Sequence, residues 1–343
     1  MTPAVTVSIV TFNSISEIGR CLDCLSRQSY PSFEISVWDN ASSDGTAEWL
    51  RKVSHPQIKL HISPVNIGFA AAHNRNITQS TAEAVLVLNP DCYPGRDYLD
   101  WVTRAMQWDR KIGAVAGRLY RLHKPESDVE LPTPQSLLDS TGTCFTPGFR
   151  HLDRGSNEVE AGRFQKREWV FGVTGAAAFY RRAMLEDIKI EGEYFDEDFF
   201  AYREDADLAW RMQSAGWKCV YVPEAVGAHV RKVLPDRRSE VAAELNMHSV
   251  KNRFLFRMNN VCTLTGLRFM LPMTFRDLQV LGYVLLVERS SLPGLTFVLK
   301  HFRKRWRRRR LILEKRRVPL SYLHQWIRRA PYSLPFESGE ASQ

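Results

Sequence analysis

The chain has 343 residues, of which 44% are hydrophobic and 25% charged, a composition typical of a globular protein that excludes a disordered or fibrous one. At roughly 150 residues per domain, this length predicts about two structural units. No run reaches the roughly 18 apolar residues that a membrane-spanning helix needs, and the amino terminus lacks the basic-then-apolar pattern of a secretory signal, so we expect a cytoplasmic protein.

The net charge of +9 is concentrated near the carboxyl end. Residues Phe302–Arg317 contain ten Lys or Arg and one Glu, which accounts for the whole excess and leaves the rest of the chain balanced. The six cysteines lack the dense, even spacing of a disulfide framework. Cys21 and Cys24 form a CxxC pair, but no second pair completes a zinc site, so we interpret the cysteines as structural thiols.

The first ninety residues alternate between strand and helix patterns. Aliphatic and β-branched runs predict strands, and apolar side chains spaced three or four residues apart predict helices between them. This alternation implies parallel strands with right-handed crossovers, and hence a doubly wound sheet. The predicted strands are Val5–Val10, Phe33–Trp38, Ile58–Ile62 and Val85–Leu88, and the predicted helices are Ser16–Gln28, Thr46–Lys52 and Ala70–Gln79.

Each of these strands is followed by an Asn or an Asp. The residues are Asn13, Asp39, Asn66 and Asp91. Because ligands of open α/β sheets bind beyond the carboxyl ends of the strands, we expect these side chains on one edge of the sheet, around a cleft. For the stretch Val85–Asp91 (VLVLNPD), an ordinary Asn-Pro-Asp turn is the alternative.

A segment rich in Pro, Gly and charge interrupts the pattern after the next helix, Tyr98–Trp108, and strand, Gly113–Gly117. It covers residues 121–167, and we interpret it as a mobile or substrate-facing insertion. Strand-like runs resume at Glu168–Phe171 and Gly175–Tyr180.

An acidic and aromatic stretch then leads to His229. Asp196, Glu197 and Asp198 are interpreted either as a solvated charged face or as part of a site. Glu204 and Asp205 begin a predicted helix, where the helix dipole favours carboxylates without any catalytic role. A predicted strand, Trp217–Val222, separates this helix from the histidine.

The pattern changes again beyond about residue 260. A predicted basic helix, Leu299–Leu313, places Leu299, Phe302, Trp306 and Leu313 on one stripe among arginines. Such a helix suits an anionic membrane surface; nucleic-acid binding and a surface helix without a partner are the alternatives. We expect that deletion of Leu299–Gln343 weakens attachment to anionic vesicles and leaves the pocket intact.

Motifs at the strand ends and around the acidic stretch occur together in one order. They resemble those of family 2 glycosyltransferases of the GT-A fold, and most closely the bacterial rhamnosyltransferase-like branch that builds cell-surface polysaccharides. The resemblance spans about Val5 to Asn260. The matching stretches are SIVTFNS, DNASSDGT, NIGFAAAHN, LNPDC, TGAAAFYRR and FDEDFFAYREDADLAWRMQSAGW, followed by His229.

This resemblance implies a GT-A-type doubly wound, mostly parallel sheet in residues 1–260. A Rossmann-like nucleotide half would cover about 1–118 and an acceptor half 119–260, with a helical, basic C-terminal extension at 261–343. The implied reaction is the inverting transfer of a sugar, with rhamnose a candidate, from a nucleotide-diphosphate donor to a glycan or lipid-linked acceptor. The implied location is cytoplasmic or peripheral on the inner face of the plasma membrane, which residues 299–317 would contact.

The resemblance also implies where the donor and a metal bind. Asp91 and His229 would bind Mg²⁺ or Mn²⁺, which accept oxygen ligands and an imidazole. Asn89 occupies the position where the family's DxD-type motif begins with Asp, so Asp91 is the direct carboxylate ligand. The residues implied for the nucleotide and donor are Thr11, Asn13, Asp39, Asn66, Asn74 and Asn89, with Asp39 accepting hydrogen bonds from the base.

For catalysis, the resemblance implies that Asp205 is the general base, paired with Glu204, whose like charge would raise the pKa of Asp205. The residues implied for positioning sugars are Trp169, Gly175, Arg203 and Trp210. Packing of the indoles in the core is the alternative for both tryptophans.

Two other functions compete with this interpretation. A sugar-nucleotide pyrophosphorylase has a related nucleotide domain, but its glycine-rich phosphate loop is missing, because the first strand here ends in Thr-Phe-Asn. A nucleic-acid-binding protein would use the tail Phe302–Arg317, but the rest of the chain has no net positive charge to follow a phosphate backbone. We therefore expect no nucleic-acid partner.

Overall fold

The computed structural model describes residues 3–53, 57–122, 136–231, 242–327 and 333–336. Its first part confirms the predicted alternation of strands and helices. The strands are β1 (Val5–Thr11), β2 (Phe33–Asp39), β3 (Ile58–Ile62) and β4 (Ala84–Leu88), and the helices are α1 (Ile18–Ser26), α2 (Thr46–Lys52) and α3 (Phe69–Gln79).

These strands pair in parallel in the order β3, β2, β1, β4. Every residue of β1 and β4 is buried, because helices and neighbouring segments cover both faces of the sheet. Burial on both faces explains why β4 is apolar along its length. The polar residues of β1 are buried as well, and Thr6 and Ser8 are hydrogen-bonded to Ser80 and His73. Since the strands are parallel, their carboxyl ends lie on one edge, as the sequence predicts.

The second part of the sheet is mixed. Strand β11 (Ala177–Arg181) runs antiparallel to both β4 and β6, and β12 runs parallel to β6. The other elements of this part are β5 (Cys92–Pro94), β6 (Ile112–Leu122), β7 (Leu138–Ser140), β8 (Thr143–Phe145), β9 (His151–Asp153), β10 (Glu168–Val170), β12 (Lys218–Val230), α4 (Tyr98–Ala105), α5 (Arg182–Ile188) and α6 (Glu204–Ser214).

Part of the predicted insertion 121–167 is ordered into short strands. Strand β7 pairs with β6, and β8 and β9 form a separate two-stranded sheet. Residues 123–135 of this insertion lie outside the described residues. The insertion therefore contributes a strand to the central sheet and brings its Asp139 close to β12.

Helices dominate the C-terminal part, as predicted. They are α7 (Ala243–Asn260), α8 (Thr263–Arg268), α9 (Met270–Leu286), α10 (Leu292–Lys300), α11 (Phe302–Glu314) and α12 (Leu320–His324). A last strand, β13 (Ser333–Pro335), pairs with β10, so the full order of the sheet is β13, β10, β12, β6, β11, β4, β1, β2, β3. The helical part is thus joined to the edge of the sheet.

Two further predictions from the sequence concern membrane-spanning helices and the state of the cysteines. Among the described helices, none is by itself long and apolar enough to cross a membrane; α9 and the residues 289–300 pass that test only together, across a 110° bend. The six cysteines are free thiols, as expected, with four of them buried.

Candidate active site

The nucleotide side of the candidate site is built at the ends of β1 and β2. Thr11 Oγ1 donates to Asp39 Oδ1 at 2.8 Å, and both residues are fully buried. The loop after β2 closes on the same carboxylate, because the Ser42 backbone N–H donates to Asp39 Oδ2 at 3.0 Å and its hydroxyl donates to Oδ1 at 2.6 Å. Three hydrogen bonds therefore hold Asp39 as an acceptor at the edge of the sheet.

Asn13 and Asn66 shape the loops on either side of this carboxylate. Asn13 has a left-handed backbone, with φ of 52°, and its side-chain oxygen accepts from the Ser43 N–H at 2.8 Å. Asn66 accepts from the Gly68 N–H at 2.9 Å in the turn before α3. A Cβ at Gly68 would lie 2.5 Å from the Phe200 ring, so this turn packs directly against the loop that precedes α6.

Asn74 has a different environment from the other predicted donor residues. Its side chain is buried in α3, where Nδ2 donates to the Phe195 carbonyl at 2.8 Å and Oδ1 accepts from the Phe195 N–H at 2.9 Å. Both polar atoms of the amide thus hold α3 to the segment before α6. These bonds give Asn74 a structural role, and its predicted nucleotide contact stays a prediction.

Asp91 and His229 come together although 138 residues separate them. Strand β5, which begins directly after Asp91, pairs with the end of β12 so that Cys92 is opposite His229. As a result His229 Nε2 lies 3.3 Å from Asp91 Oδ1. The backbone of Asn89, in the turn after β4, is fixed by a hydrogen bond from its N–H to the Ala176 carbonyl at 2.9 Å.

A third carboxylate fixes the histidine. Asp139 Oδ2 lies 2.8 Å from His229 Nδ1, and Asp139 is fully buried on β7. Burial alone favours the neutral imidazole, but the hydrogen bonds and charges of Asp139 and Asp91 outweigh it and raise the pKa of His229 to about 9. The carboxyl pKa of Asp139 is lowered, because His229, Arg231 and Arg121 offset the cost of its burial.

Sequence reasoning missed Asp139. It lies in the insertion 121–167, and no motif marks it, since a lone Asp before Ser and Thr is typical of a turn. Only the pairing of β7 with β6, next to β12, brings it to His229. Among the described residues, no group of three or more His, Cys, Asp or Glu side chains is arranged to hold a metal ion, because Asp139 approaches the opposite side of the imidazole from Asp91.

Glu204 and Asp205 open α6, as predicted, and both are buried. Asp205 Oδ2 accepts a hydrogen bond from the Gly175 N–H at 3.0 Å, and Oδ1 accepts from the Ala206 N–H at 2.7 Å. Glu204 Oε2 is buried without a hydrogen-bond partner among the described residues. Burial first, and then the Asp205 carboxylate, raise the pKa of Glu204 well above its usual value.

The raised pKa therefore belongs to Glu204, the neighbour of the predicted base Asp205. The sequence predicted that the like charge of Glu204 would raise the pKa of Asp205, whereas the structure places the raised pKa on Glu204. Asp205 itself accepts hydrogen bonds from two backbone N–H groups, one on each carboxylate oxygen.

Comparison with known proteins adds to this geometry. Residues 6–189, more than half of the chain, match the family model Glycosyl transferase family 2. The chain belongs to this family. Residues 160–329 also match the family model Glycosyl transferase family group 2. The protein is therefore a glycosyltransferase. This excludes the alternative of a sugar-nucleotide pyrophosphorylase.

This glycosyltransferase is similar in sequence to an N-acetylglucosaminyl-diphospho-decaprenol L-rhamnosyltransferase of Mycobacterium tuberculosis. It is 29% identical over 244 residues, which cover 67% of this chain and 76% of that protein. An N-acetylglucosaminyltransferase of Rhizobium meliloti is 27% identical over 241 residues, covering 68% of this chain and 52% of that one. These similarities confirm the rhamnosyltransferase-like character that the motifs indicate.

Solved structures confirm the GT-A fold of this family 2 enzyme. TarS 1–349 of S. aureus, in complex with UDP-GlcNAc, has a TM-score of 0.55 at 16% identity, and the match covers 99% of this chain and 98% of that one. The mannosyltransferase PcManGT of Pyrobaculum calidifontis, in complex with GDP-Man and Mn²⁺, has a TM-score of 0.51 at 19% identity, covering 92% and 86%. The match to a longer TarS structure covers only 47% of the length of that TarS chain.

The four residues predicted to position sugars separate into two groups. Gly175 and Arg203 adjoin the Glu204–Asp205 pair: the first donates to Asp205, and the second immediately precedes α6 with φ of 68°. Trp210 is 1% exposed and packs among Phe145, Phe171 and Phe256. Trp169 is opposite Val220, near the start of β12 and far along the strand from His229. The core-packing alternative therefore applies to both tryptophans.

The C-terminal helices of the glycosyltransferase support the loop that leads into the catalytic pair. Phe200, Tyr202 and Arg203 all have positive φ, between 64° and 71°, a strained conformation for residues with side chains. Asn252 of α7 donates to the carbonyls of Phe199, Ala201 and Tyr202 at 2.7–2.9 Å. This single amide therefore restrains three backbone carbonyls of the strained loop.

The acidic segment, residues 191–198, is also covered by the C-terminal part. Arg305 Nη1 lies 2.5 Å from Asp196 Oδ2 and also pairs with Asp198. Arg308 Nη1 lies 2.8 Å from Glu193 Oε2, and its Nε 3.0 Å from Asp196 Oδ2. Since Arg305, Arg308 and Asp196 are almost fully buried, the segment is not the solvated charged face that the sequence allowed.

The same contacts change the interpretation of the basic tail. Arg307 pairs with Glu191 and Arg317 with Asp187, in addition to the buried pairs of Arg305 and Arg308. A large part of the positive charge in Phe302–Arg317 is thus neutralised within the protein. This reduces the charge available to a nucleic acid or to an anionic surface at residues 299–317.

Proposed function

We propose that this glycosyltransferase moves a sugar from a nucleotide-diphosphate donor to a hydroxyl group of a lipid-linked or glycan acceptor, with inversion at the anomeric carbon. The observation that carries the proposal is the position of Asp205, which is held by the Gly175 N–H at the start of α6, beside Glu204. The mycobacterial relative, named for transfer to a diphospho-decaprenol-linked sugar, supports an acceptor of this class in cell-wall synthesis.

In the proposed reaction, Asp205 accepts the proton of the acceptor hydroxyl as its oxygen bonds to the anomeric carbon. The bond between that carbon and the donor diphosphate breaks in the same displacement, so the electron pair leaves with the diphosphate and the configuration inverts. A positioned general base typically contributes about 10²–10⁴-fold in rate. The raised pKa of Glu204 favours its neutral form, which limits repulsion of the ionised Asp205.

The donor would lie along the ends of β1, β2 and β4. Asp39 is held as an acceptor by Thr11 and Ser42, which suits recognition of N–H groups on a nucleotide base. Asn13 and Asn66 fix the flanking loops. Asn89 would face the donor from the turn after β4.

Asp91 and His229 are the residues that would hold a divalent cation. Their fit rests on the buried imidazole, whose Nδ1 is fixed by Asp139 so that Nε2 points towards Asp91; metal-binding histidines commonly have a carboxylate in this position. A carboxylate and an imidazole suit Mg²⁺ or Mn²⁺, and the chemistry that such an ion supplies is neutralisation of the charge that grows on the departing diphosphate. The Mn²⁺ in the PcManGT structure supports this assignment.

A donor panel tests the sugar and the nucleotide. Because a bound ligand raises the apparent stability of the folded state by mass action, we expect dTDP-rhamnose with Mn²⁺ to raise the melting temperature more than UDP-sugars do, consistent with the similarity to the mycobacterial rhamnosyltransferase. A larger shift with a UDP-sugar would replace rhamnose in the proposal. The absence of any shift with every nucleotide sugar would contradict the proposed function itself.

The role of Asp205 is tested by Asp205→Asn, with Glu204→Gln as the matched control. We expect Asp205→Asn to lower the turnover rate by roughly 10²–10⁴-fold while donor affinity is unchanged, because the amide keeps the shape but cannot take the proton. Glu204→Gln should lower turnover much less, since the amide resembles the neutral acid. Normal turnover by Asp205→Asn would remove this residue as the base.

A further inference from the structure

A group of arginines surrounds the start of α6 on the side of the C-terminal helices. We call Arg150, Arg203, Arg253 and Arg257 the arginine cluster. The pKa of Arg203 is lowered to about 10. Burial is the main cause, and the positive charges of Arg253, Arg150 and Arg257 add to it, while the Asp205 carboxylate opposes the shift. The cluster is therefore electrostatically coupled to the proposed catalytic base.

The acidic partners of the cluster are too few to neutralise it. Arg253 Nε lies 3.2 Å and Arg257 Nη2 lies 2.6 Å from the same carboxylate, that of Asp277 on α9. Nε and Nη1 of Arg257 are buried and have no hydrogen-bond partner among the described residues. Because partly buried cations without partners are costly, and the guanidinium fork matches phosphate oxygens, an anionic phosphate group is the ligand that suits the cluster.

An apolar surface lies on the helix that carries Asp277. Five exposed residues at intervals of three and four form a continuous line over α8 and α9, which we call the apolar stripe. Val284, on the opposite side of α9, is fully buried, so the stripe is the outward side of the helix. Its members are Leu264, Leu267, Leu271, Phe275 and Leu278, which are 62–78% exposed.

A bilayer is the occupant that best fits this stripe. The exposed apolar surface continues into Leu286 and Val287, which are 81% and 68% exposed, and apolar patches of this extent mark contact sites. Exposed cations occur on α8 itself, at Arg268, and on the following helices, at Lys300 and Arg303, and such cations suit anionic headgroups. Trp306, 59% exposed, adds an aromatic ring of the kind that is enriched at membrane interfaces.

We propose, on the basis of the proposed function, that the acceptor is a lipid diphosphate: the arginine cluster binds its diphosphate while the apolar stripe lies in the bilayer that carries its hydrocarbon chain. Asn252, next to Arg253 on α7, donates to the carbonyl of Tyr202, next to Arg203, at 2.7 Å. The cluster therefore lies at the start of α6, beside Asp205, and Asp277 links it to α9. A headgroup held there presents its sugar hydroxyl to the base from the membrane side. The donor diphosphate is assigned to the separate Asp91–His229 side of the site.

Binding of a diphosphate at the arginine cluster is tested with farnesyl diphosphate as a soluble probe. We expect Arg257→Gln and the exposed Arg150→Gln each to weaken its binding by about tenfold or more, the loss expected for a charge-assisted hydrogen bond, with no change in binding of the donor nucleotide. Arg310→Gln is the matched control, because this arginine is 74% exposed and pairs only with Glu314 among the described residues.

Three results would overturn the diphosphate site: no binding of farnesyl diphosphate by the wild-type protein, unchanged binding by the two cluster variants, or an equal loss of nucleotide affinity, which would assign the cluster to the donor. The proposed function is tested in a separate assay, which measures sugar transfer to a hydrophobic acceptor that has no phosphate. Transfer to that acceptor without diphosphate binding contradicts only this inference. Absence of transfer to every acceptor contradicts the proposed function.

The bilayer half is tested by flotation with phosphatidylcholine vesicles, with and without phosphatidylglycerol. We expect the wild-type protein to float with both, and Leu271→Glu/Phe275→Glu to lose flotation while its circular dichroism is unchanged, because both positions are exposed. Val159→Glu is the control, since Val159 is 51% exposed away from the stripe. Wild-type protein that stays in solution, or a stripe variant that only converts a dimer to a monomer, would show that the stripe contacts no membrane.

Discussion

At the scale of single residues, the candidate site depends on side chains whose orientation is fixed by a second group. His229 is fixed by Asp139 on its Nδ1 side, at 2.8 Å, and Asp205 by the Gly175 N–H at 3.0 Å. Asp139 belongs to no recognisable motif, whereas Gly175 lies in the stretch TGAAAFYRR. Mutation of these orienting residues is therefore a direct probe of the site.

The first prediction at this scale concerns Asp139. We expect Asp139→Asn to weaken Mn²⁺ binding by roughly 10–100-fold, the usual cost of removing the carboxylate that orients a metal-binding histidine, as measured by titration of free Mn²⁺ by electron paramagnetic resonance. Asp153→Asn is the control, because Asp153 shares Arg231 with Asp139 but is not paired with His229. Equal Mn²⁺ affinity in Asp139→Asn and wild type would show that His229 is not a metal ligand.

The second prediction concerns His73, whose Nδ1 lies 2.7 Å from Ser8 Oγ and whose Nε2 is buried without a partner among the described residues. Burial lowers its pKa to about 3, so below its ordinary value of 6.5 the unfolded chain binds a proton that the folded protein does not. Stability is thus lost as the pH falls from 6.5, by about 1.4 kcal/mol per pH unit for this group.

We expect His73→Gln to reduce this acid sensitivity. Urea unfolding at pH 7.5 and pH 5 should show a smaller loss of stability for the variant, by roughly 2 kcal/mol, since only the wild type has the buried imidazole to protonate. The variant will also lose some stability at both pH values, because it replaces a packed ring. An identical pH dependence in the two proteins would mean that His73 is already protonated or accessible in the folded state.

At the scale of elements, helix α11 is a structural support for the catalytic loop. Its Arg305 and Arg308 enter the acidic segment just before the strained residues Phe200, Tyr202 and Arg203. The sequence predicted that these arginines belong to a basic helix suited to an anionic surface, because their spacing along the chain also fits an exposed basic face. The acidic segment that neutralises them is over a hundred residues away.

This role predicts a large effect for Arg305→Met. Removal of one partner of a buried ion pair leaves an uncompensated charge, so we expect a loss of roughly 3–5 kcal/mol in the free energy of unfolding, measured by urea denaturation. Arg310→Met is the matched control, whose exposed pair with Glu314 should contribute less than about 1 kcal/mol. Similar losses in the two variants would show that the buried pair has no special structural role.

At the scale of the whole molecule, the C-terminal part is bound to the sheet domain at several places. Strand β13 pairs with β10, α7 holds the loop before α6 through Asn252, and α11 covers the acidic segment. These contacts contradict a view of the extension as an independent membrane anchor. Its outer surface carries the apolar stripe, while its inner surface packs against the sheet and the loop before α6.

Deletion of Leu299–Gln343 should therefore affect more than vesicle binding. The sequence predicts that this deletion leaves the pocket intact, but it removes Arg305 and Arg308 from Asp196 and β13 from the sheet edge. We now expect the truncated protein to have a lower melting temperature by differential scanning fluorimetry and a smaller stabilisation by the donor nucleotide. An unchanged melting temperature in the truncated protein would restore the idea of a separable tail.

The parts of the fold that the sequence could predict depend on local patterns. The strands Val5–Thr11 and Ala84–Leu88 and the helices between them are encoded by apolar spacing within a few residues, and parallel topology then places Thr11, Asp39 and Asp91 on one edge. The Glu204–Asp205 pair was predicted for the same reason, because a helix start is a local signal. Reduced cysteines likewise follow from spacing alone.

Local patterns in the chain are thus enough to predict the α/β alternation, the polar strand ends and the carboxylates at the start of α6. Three features appear only in the folded protein: Asp139 fixes His229, Asn74 holds α3 to the segment before α6, and the acidic segment neutralises part of the basic tail. The physical reason is that pairing between charges or strands distant in sequence leaves no local pattern. A buried arginine and an exposed one have the same spacing along a helix, and only the chain packed against them distinguishes the two.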